Sequence, residues 1–213
     1  MFSVGIRFTE DDFGITHLAS MFHQDWRLSG SARDVVMSYV AQTSDPFVLA
    51  LAEDALRLAA SGDAGTVATL WECATGSYHR LNGDSVSGLG WFREVADICE
   101  RGLTQAAVHA NLEVGESAYG AFTGRVVAEI DELEPALDEA IASNPMASIP
   151  GAVSALRVCA SDICPELAFR VLLRFLMEYS CEIDHDLYAR FVELGHEFSY
   201  GEFVVSRISF LMR

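Results

Sequence analysis

The chain has 213 residues, 51% of them hydrophobic, with 31 acidic against 14 basic side chains and a formal net charge of -17. That length holds one large domain or two of about 100 residues each. The acidic excess disfavours nucleic acid as a direct partner, since phosphates need a basic surface, and it suits either a basic protein partner or solubility alone.

Helical periodicity runs through nearly the whole chain. Ile15, Leu18, Ala19, Phe22 and Trp26 share one face of a first segment that begins near Asp12, with Asp11 or Asp12 as its N-cap. Its end is the string Phe22-His23-Gln24-Asp25-Trp26, read as one helix turn. Phe22 and Trp26 are four apart and lie on one face, while His23, Gln24 and Asp25 point elsewhere. Gly30 breaks this helix, and the next begins near Ser31 with Val35, Val36, Tyr39 and Val40 inward. Asp45-Pro46 reads as a capping carboxylate followed by a first-turn proline, leading a stripe of Val48, Leu51, Ala55, Leu56 and Ala59 that Ser61-Gly62 ends. Asp63 then caps a short helix through Val67, Leu70 and Trp71.

Residues 76–84 form the clearest loop of the first half, with an Asn82-Gly83 turn signal inside it. Leu89, Phe92, Ala96, Cys99 and Leu103 follow at steps of 3, 4, 3 and 4, a core-facing helix ending at Gly102. Residues 104–124 are small and polar and read as a joint, with room for a helix near 105–112. A long helix is predicted over 125–143 through Val127, Ile130, Leu133, Leu137 and Ile141, with Pro135 either kinking it or splitting it. After a loop around Pro145 and Pro150-Gly151, Pro165-Glu166 opens a helix containing Leu172, Phe175, Leu176 and Tyr179. Asp184 caps the next, with Leu187, Phe191, Leu194 and Phe198 inward and Ile183 and Tyr188 set as a hydrophobic staple. A last helix runs through Val204, Val205, Ile208 and Leu211.

The expected fold is all-α, two small helical bundles packed in tandem: residues 1–104, a joint at 105–124, and residues 125–213. The first 104 residues carry 14 acidic and 7 basic side chains and the rest 17 and 7, so acidity belongs to both halves. Every basic residue is Arg. No apolar run approaches the roughly 18 residues a membrane span needs, and the first residues show no basic-then-apolar leader, so a cytoplasmic protein is expected. Five cysteines without regular spacing, Cys73, Cys99, Cys159, Cys164 and Cys181, read as small buried hydrophobes.

Chemistry-bearing patterns are sparse. His23-x-Asp25 offers an acid–base or ligand pair, but residues two apart on a helix diverge by about 200°. Asp184-His185-Asp186 is explained by a helix start, one carboxylate capping and the other favourable to the dipole. Glu129, Asp131, Glu132, Glu134, Asp138 and Glu139 form the densest acidic stretch, either a solvated face or a docking surface. No P-loop, dinucleotide fingerprint, nucleophile elbow, zinc-protease motif or EF-hand pattern occurs. No catalytic, cofactor-binding or metal-ligating residue is assigned.

The Phe22-His23-Gln24-Asp25-Trp26 string resembles a motif of the helical immunity proteins of bacterial contact-dependent growth inhibition systems. Ala32-Arg33-Asp34-Val35-Val36, Leu58-Ala59-Ala60-Ser61-Gly62 and Gly90-Trp91-Phe92-Arg93-Glu94-Val95 follow in the expected order, so the resemblance covers residues 13–103. Arg27 stands where an acidic residue is common in that family, which argues against an acidic hot spot there. Residues 165–198 resemble, more loosely, the immunity proteins that accompany Maf-type adhesin toxins, through Pro165-Glu166-Leu167-Ala168-Phe169, Leu172-Leu173, Glu178-Tyr179, Ile183 and Leu187-Tyr188.

These resemblances imply a tandem immunity protein that inhibits a cognate toxin domain stoichiometrically, the toxin being a basic nuclease in many such systems. Asp84, Asp131, Glu132 and Asp138 are the candidate toxin contacts, and neither nucleic acid, membrane nor cofactor is expected as a partner. The sequence leaves the oligomeric state open. An acidic helical adaptor for another basic protein, and a small helical enzyme without a recognisable motif, are the competing readings.

Overall fold

The structure, a computed structural model, describes residues 12–81, 87–103, 119–145 and 148–213. The described residues form an all-α fold. Helix α1, Gly14–Ser20, buries Ile15, Leu18 and Ala19. Its N-cap is Phe13, so Asp12 stands one residue too early for the expected cap. The Asp12 carboxylate instead accepts from the Phe13 amide at 3.0 Å and the Thr16 hydroxyl at 2.6 Å. The orphan amide of Ile15 donates to Asp54 Oδ2, 39 residues further on, at 3.0 Å.

Helix α1 stops at Ser20, and this corrects the helical reading of the aromatic string. Phe22 N–H donates to Ala19 O, Trp26 N–H to His23 O and Leu28 N–H to Asp25 O, a run of three-residue turns ending in a 3-10 segment, Trp26–Ser29. The tighter winding sends the Phe22 ring against His79 and lets the Trp26 indole reach the Tyr78 carbonyl.

Four amphipathic helices follow. α2, Ala32–Gln42, opens with a reciprocal capping box of Ser31 and Asp34. α3, Asp45–Ala60, has Ser44 rather than Asp45 at the cap, with Asp45 and Pro46 in its first turn. α4, Ala64–Ala74, is capped by Asp63, which accepts from Gly65 and Thr66 at 3.0 Å each. α5, Gly88–Gly102, is capped by Ser87 and packs more extensively on α3 than on any other helix among the described residues.

α6, Thr123–Ser143, runs unbroken through Pro135, which settles the split-or-kinked alternative against a split. Between the loop signals at Pro150-Gly151 and the helix at Pro165 lies a further helix, α7, Ala152–Val158, which winds directly into a π turn, Cys159–Ile163. Ala152, Val153, Ala155, Leu156, Cys159 and Ala160 are all buried, a helical stripe built of mostly small side chains. The extended backbone of Cys164 separates it from α8, Pro165–Glu178. α9, His185–Glu197, is capped by Asp184 through the Leu187 amide at 2.8 Å. The expected last helix is shorter than read: α10 is Glu202–Ser206, followed by a 3-10 turn at Ser209–Leu211. Ile183 then exchanges backbone bonds with Leu211 and Arg213, fastening the C-terminal segment beside the start of α9.

One apolar cluster includes side chains from both halves of the chain. α4 lies against α7 and α8, and α1 touches α8. Most of the expected joint, and the helix read near 105–112, lie outside the described residues.

Candidate functional site

Phe22 and Trp26 are walls of a closed aromatic cage around His79. The His79 ring stacks on Phe22 with centroids 4.7 Å apart and planes 17° apart, and Trp26 and Trp91 meet it edge-on at 5.3 and 4.9 Å. Trp71 Nε1–H donates to His79 Nδ1 at 2.9 Å, so that nitrogen presents its lone pair inward. His79 is buried, although it lies in a polar stretch that reads as loop. The polar letters of the string stay outside: His23, Gln24 and Asp25 are exposed, and the Asp25 amide donates to His23 Nδ1 within the same turn. Among the described residues they make no bond to a neighbouring loop.

A second polar group is buried where α1, α3 and α8 meet. Arg170 donates from Nε to Glu166 Oε1 at 2.7 Å, from one Nη to Asp54 Oδ2 and Phe13 O, and from the other to Asp54 Oδ1 and Glu166 Oε2. All five guanidinium donors are thereby satisfied. Tyr200 O–H donates to Glu166 Oε1 at 2.8 Å. Burial alone would lower the Arg170 pKa, but the Asp54 and Glu166 carboxylates outweigh it and hold it well above its ordinary value. Burial, with the Glu166 charge beside it, pushes the Tyr200 phenol far up. A residue with any Cβ would not fit at Gly14, where φ is +62° and a Cβ would meet Asp54 Oδ2 at 2.0 Å. The sequence carried a faint signal of this group: Asp54 sits within the α3 apolar stripe, and Glu166 and Arg170 stand four apart in a helix apolar on nearly every side.

The acidic stretch falls on α6 and is largely engaged. Arg157 bonds Asp131 at 2.5 Å and both oxygens of Glu134, and Arg190 bonds both oxygens of Glu129 and reaches Glu132 at 2.7 Å. Hydrogen bonds from Arg157 hold the Glu134 carboxyl below its usual range. Of the candidate contacts, Asp131, Glu132 and Asp138 are exposed, the first two paired with arginines and Asp138 without an ion pair among the described residues. Asp84 lies outside the described residues.

A groove of about 420 Å³ opens between α9 and α10, lined by Tyr188, Val192, His196, Tyr200, Glu202 and Val205 among others. Phe203, next to Glu202 on α10, is 48% exposed.

Among the described residues no three His, Cys, Asp or Glu side chains gather in metal-binding reach, and no helix is long and apolar enough to cross a membrane. Burial pushes the Cys73 and Cys99 thiols up to about 12, far from the thiolate form a nucleophile needs. Comparison with known proteins returns no matching family model, no matching curated protein and no matching solved structure.

Proposed function

We propose that this chain is an immunity protein, which binds a basic toxin domain in the cytosol of the cell that makes it and neutralises it by stoichiometric occupation. The observation that carries this reading is the fate of the arginines. Among the described residues, nine arginines lie in ion pairs with the chain's own carboxylates. Much of the positive charge is thus paired in place, and the net charge of -17 leaves an acidic surplus as a field for a basic partner. Such a field accelerates encounter with a basic partner and disfavours acidic ones. The two stretches that resemble immunity proteins act together, as parts of one binding body.

Co-expression with the toxin domain encoded beside it tests the reading. Growth rescue and a one-to-one complex on gel filtration are expected. A toxin that kills equally with and without the chain, and elutes apart from it, overturns the proposal in favour of an adaptor for some other basic protein.

A further inference from the structure

The geometry points to the seam between α2 and α5 as a docking site for a helix of another protein, one that carries an apolar residue between two carboxylates. This inference goes beyond the immunity reading and does not depend on it.

Helices α2 and α5 run side by side in the same direction. Near their starts an Arg33 Nη donates to Glu94 Oε1 at 2.7 Å, and near their ends Gly102 sits so close to α2 that a Cβ there would run into Val40 Cγ1. Along the seam lies a groove of about 280 Å³, lined by the apolar side chains of Met37, Val40, Ala41 and Ile98 and by Arg33 and Arg101. Met37 is 40% exposed, a flexible apolar side chain of the kind that adapts to a partner's surface.

The charge of this lining is opposite to that of the molecule. Both of its charged residues are arginines, and among the described residues no carboxylate lines the groove. Arg101 is exposed and makes no ion pair among the described residues. Glu94 holds one nitrogen of Arg33, and the other two are without a partner among the described residues, open to a second carboxylate. Asp97 and Glu100 are exposed on α5 but stand outside the groove.

Spacing selects the occupant. Arg33 lies level with Glu94, and Arg101 follows Glu94 by seven residues, so the two arginines spring from points about 10 Å apart along the seam. Two turns of a docked helix cover the same distance, which sets one carboxylate over each arginine and an apolar side chain between Met37 and Ile98. A free phosphate would find only apolar side chains between the two arginines. A nucleic-acid strand or a second copy of the chain would meet the repulsion of the net charge of -17. For a short segment the local lining decides, since salt screens charges beyond about 8 Å.

The test measures fluorescence anisotropy of a labelled helical peptide with Glu at both ends of a two-turn face and Leu between them, against the full chain. A peptide with Lys in place of each Glu is measured beside it. Two variants with matched charge change are compared, Arg33→Gln/Arg101→Gln at the groove and Arg125→Gln/Arg213→Gln away from it, together with Met37→Gln. All five positions are exposed, and far-UV circular dichroism confirms that each variant keeps its fold. The Glu peptide should bind more tightly than the Lys peptide, with Arg33→Gln/Arg101→Gln and Met37→Gln each weakening it about fivefold and the distant pair far less. Failure of the Glu peptide to bind overturns the inference, as do equal affinities for the two peptides or equal losses from the two double variants. A dimer on sedimentation that Arg33→Gln/Arg101→Gln abolishes overturns it in favour of self-association.

Discussion

Asp54 and Arg170, 116 residues apart in sequence, form a bidentate pair at 2.8 and 2.9 Å with side chains only 2% and 1% exposed. The bond ties the first half of the chain to the second at the point where α1 begins. Removing one partner leaves the other charge buried and uncompensated. Arg170→Met should therefore cost about 3–5 kcal/mol in urea unfolding. The triple replacement Asp54→Leu/Glu166→Leu/Arg170→Met should recover only part of that, because the Ile15 amide and Tyr200 hydroxyl then lose their acceptors, at about 1–3 kcal/mol each. An Arg170→Met protein as stable as the parent would show that the pair is not made.

Gly14 gives a sharper probe of the same spot. Gly14→Ala places a methyl 2.0 Å from Asp54 Oδ2 at a left-handed φ, whereas Gly62, with φ +79°, has nothing within 4 Å of its Cβ position. Gly62→Ala should cost only the backbone penalty, about 1–2 kcal/mol, and Gly14→Ala that plus about 1–3 kcal/mol of overpacking. Equal thermal shifts for the two would contradict the crowding.

The aromatic string makes opposite predictions for its letters. Phe22→Ala should cost about 3–5 kcal/mol, since it removes the ring on which His79 stacks. His23→Ala and Asp25→Ala should fall within about 0.5 kcal/mol of the parent, their side chains being exposed. Denaturation midpoints decide it, and a large loss at either polar position would show that these side chains hold the turn.

Alkaline pH should weaken the fold. Burial raises Cys73 and Cys99 from 9.0 to about 12, and raises the Tyr39 and Tyr179 phenols above their usual 10.0. A folded-state value above the unfolded one means full stability below about pH 9, lost progressively as pH rises toward 12 and the unfolded chain alone releases protons. The urea midpoint should fall between about pH 9 and pH 11, and thiol reagents at neutral pH should leave both cysteines unlabelled until unfolding. A flat profile over that range would contradict the burial of these groups.

Where an apolar stripe repeats at helical spacing, as in α2 to α5 and α8 to α9, the sequence displays the helix and often its cap. Ser31 and Asp63 are legible because their partners lie two or three residues away. What escapes is whatever depends on distant chain. His79 looks like a loop residue because its walls come from positions 22, 26 and 91, and Trp26 finds its acceptor 52 residues later. The exposure of Asp131 and Glu132 could be read from the α6 pattern, but their arginines, Arg157 on α7 and Arg190 on α9, come from later helices and could not. α7 was hidden because prolines and glycine bracket it and its π turn breaks the 3.6-residue rhythm.

The cage around His79 also determines what light reports about this molecule. Its three tryptophans, Trp26, Trp71 and Trp91, are the only ones in the chain, and all of them surround a single imidazole. Tryptophan emission is thus a local gauge, reading the packing of one corner built by residues 22–92. The C-terminal helices, furnished with phenylalanine and tyrosine, stay dark to it. A partner that docks on them would leave the spectrum unchanged unless the strain of binding travels through the shared core to that corner.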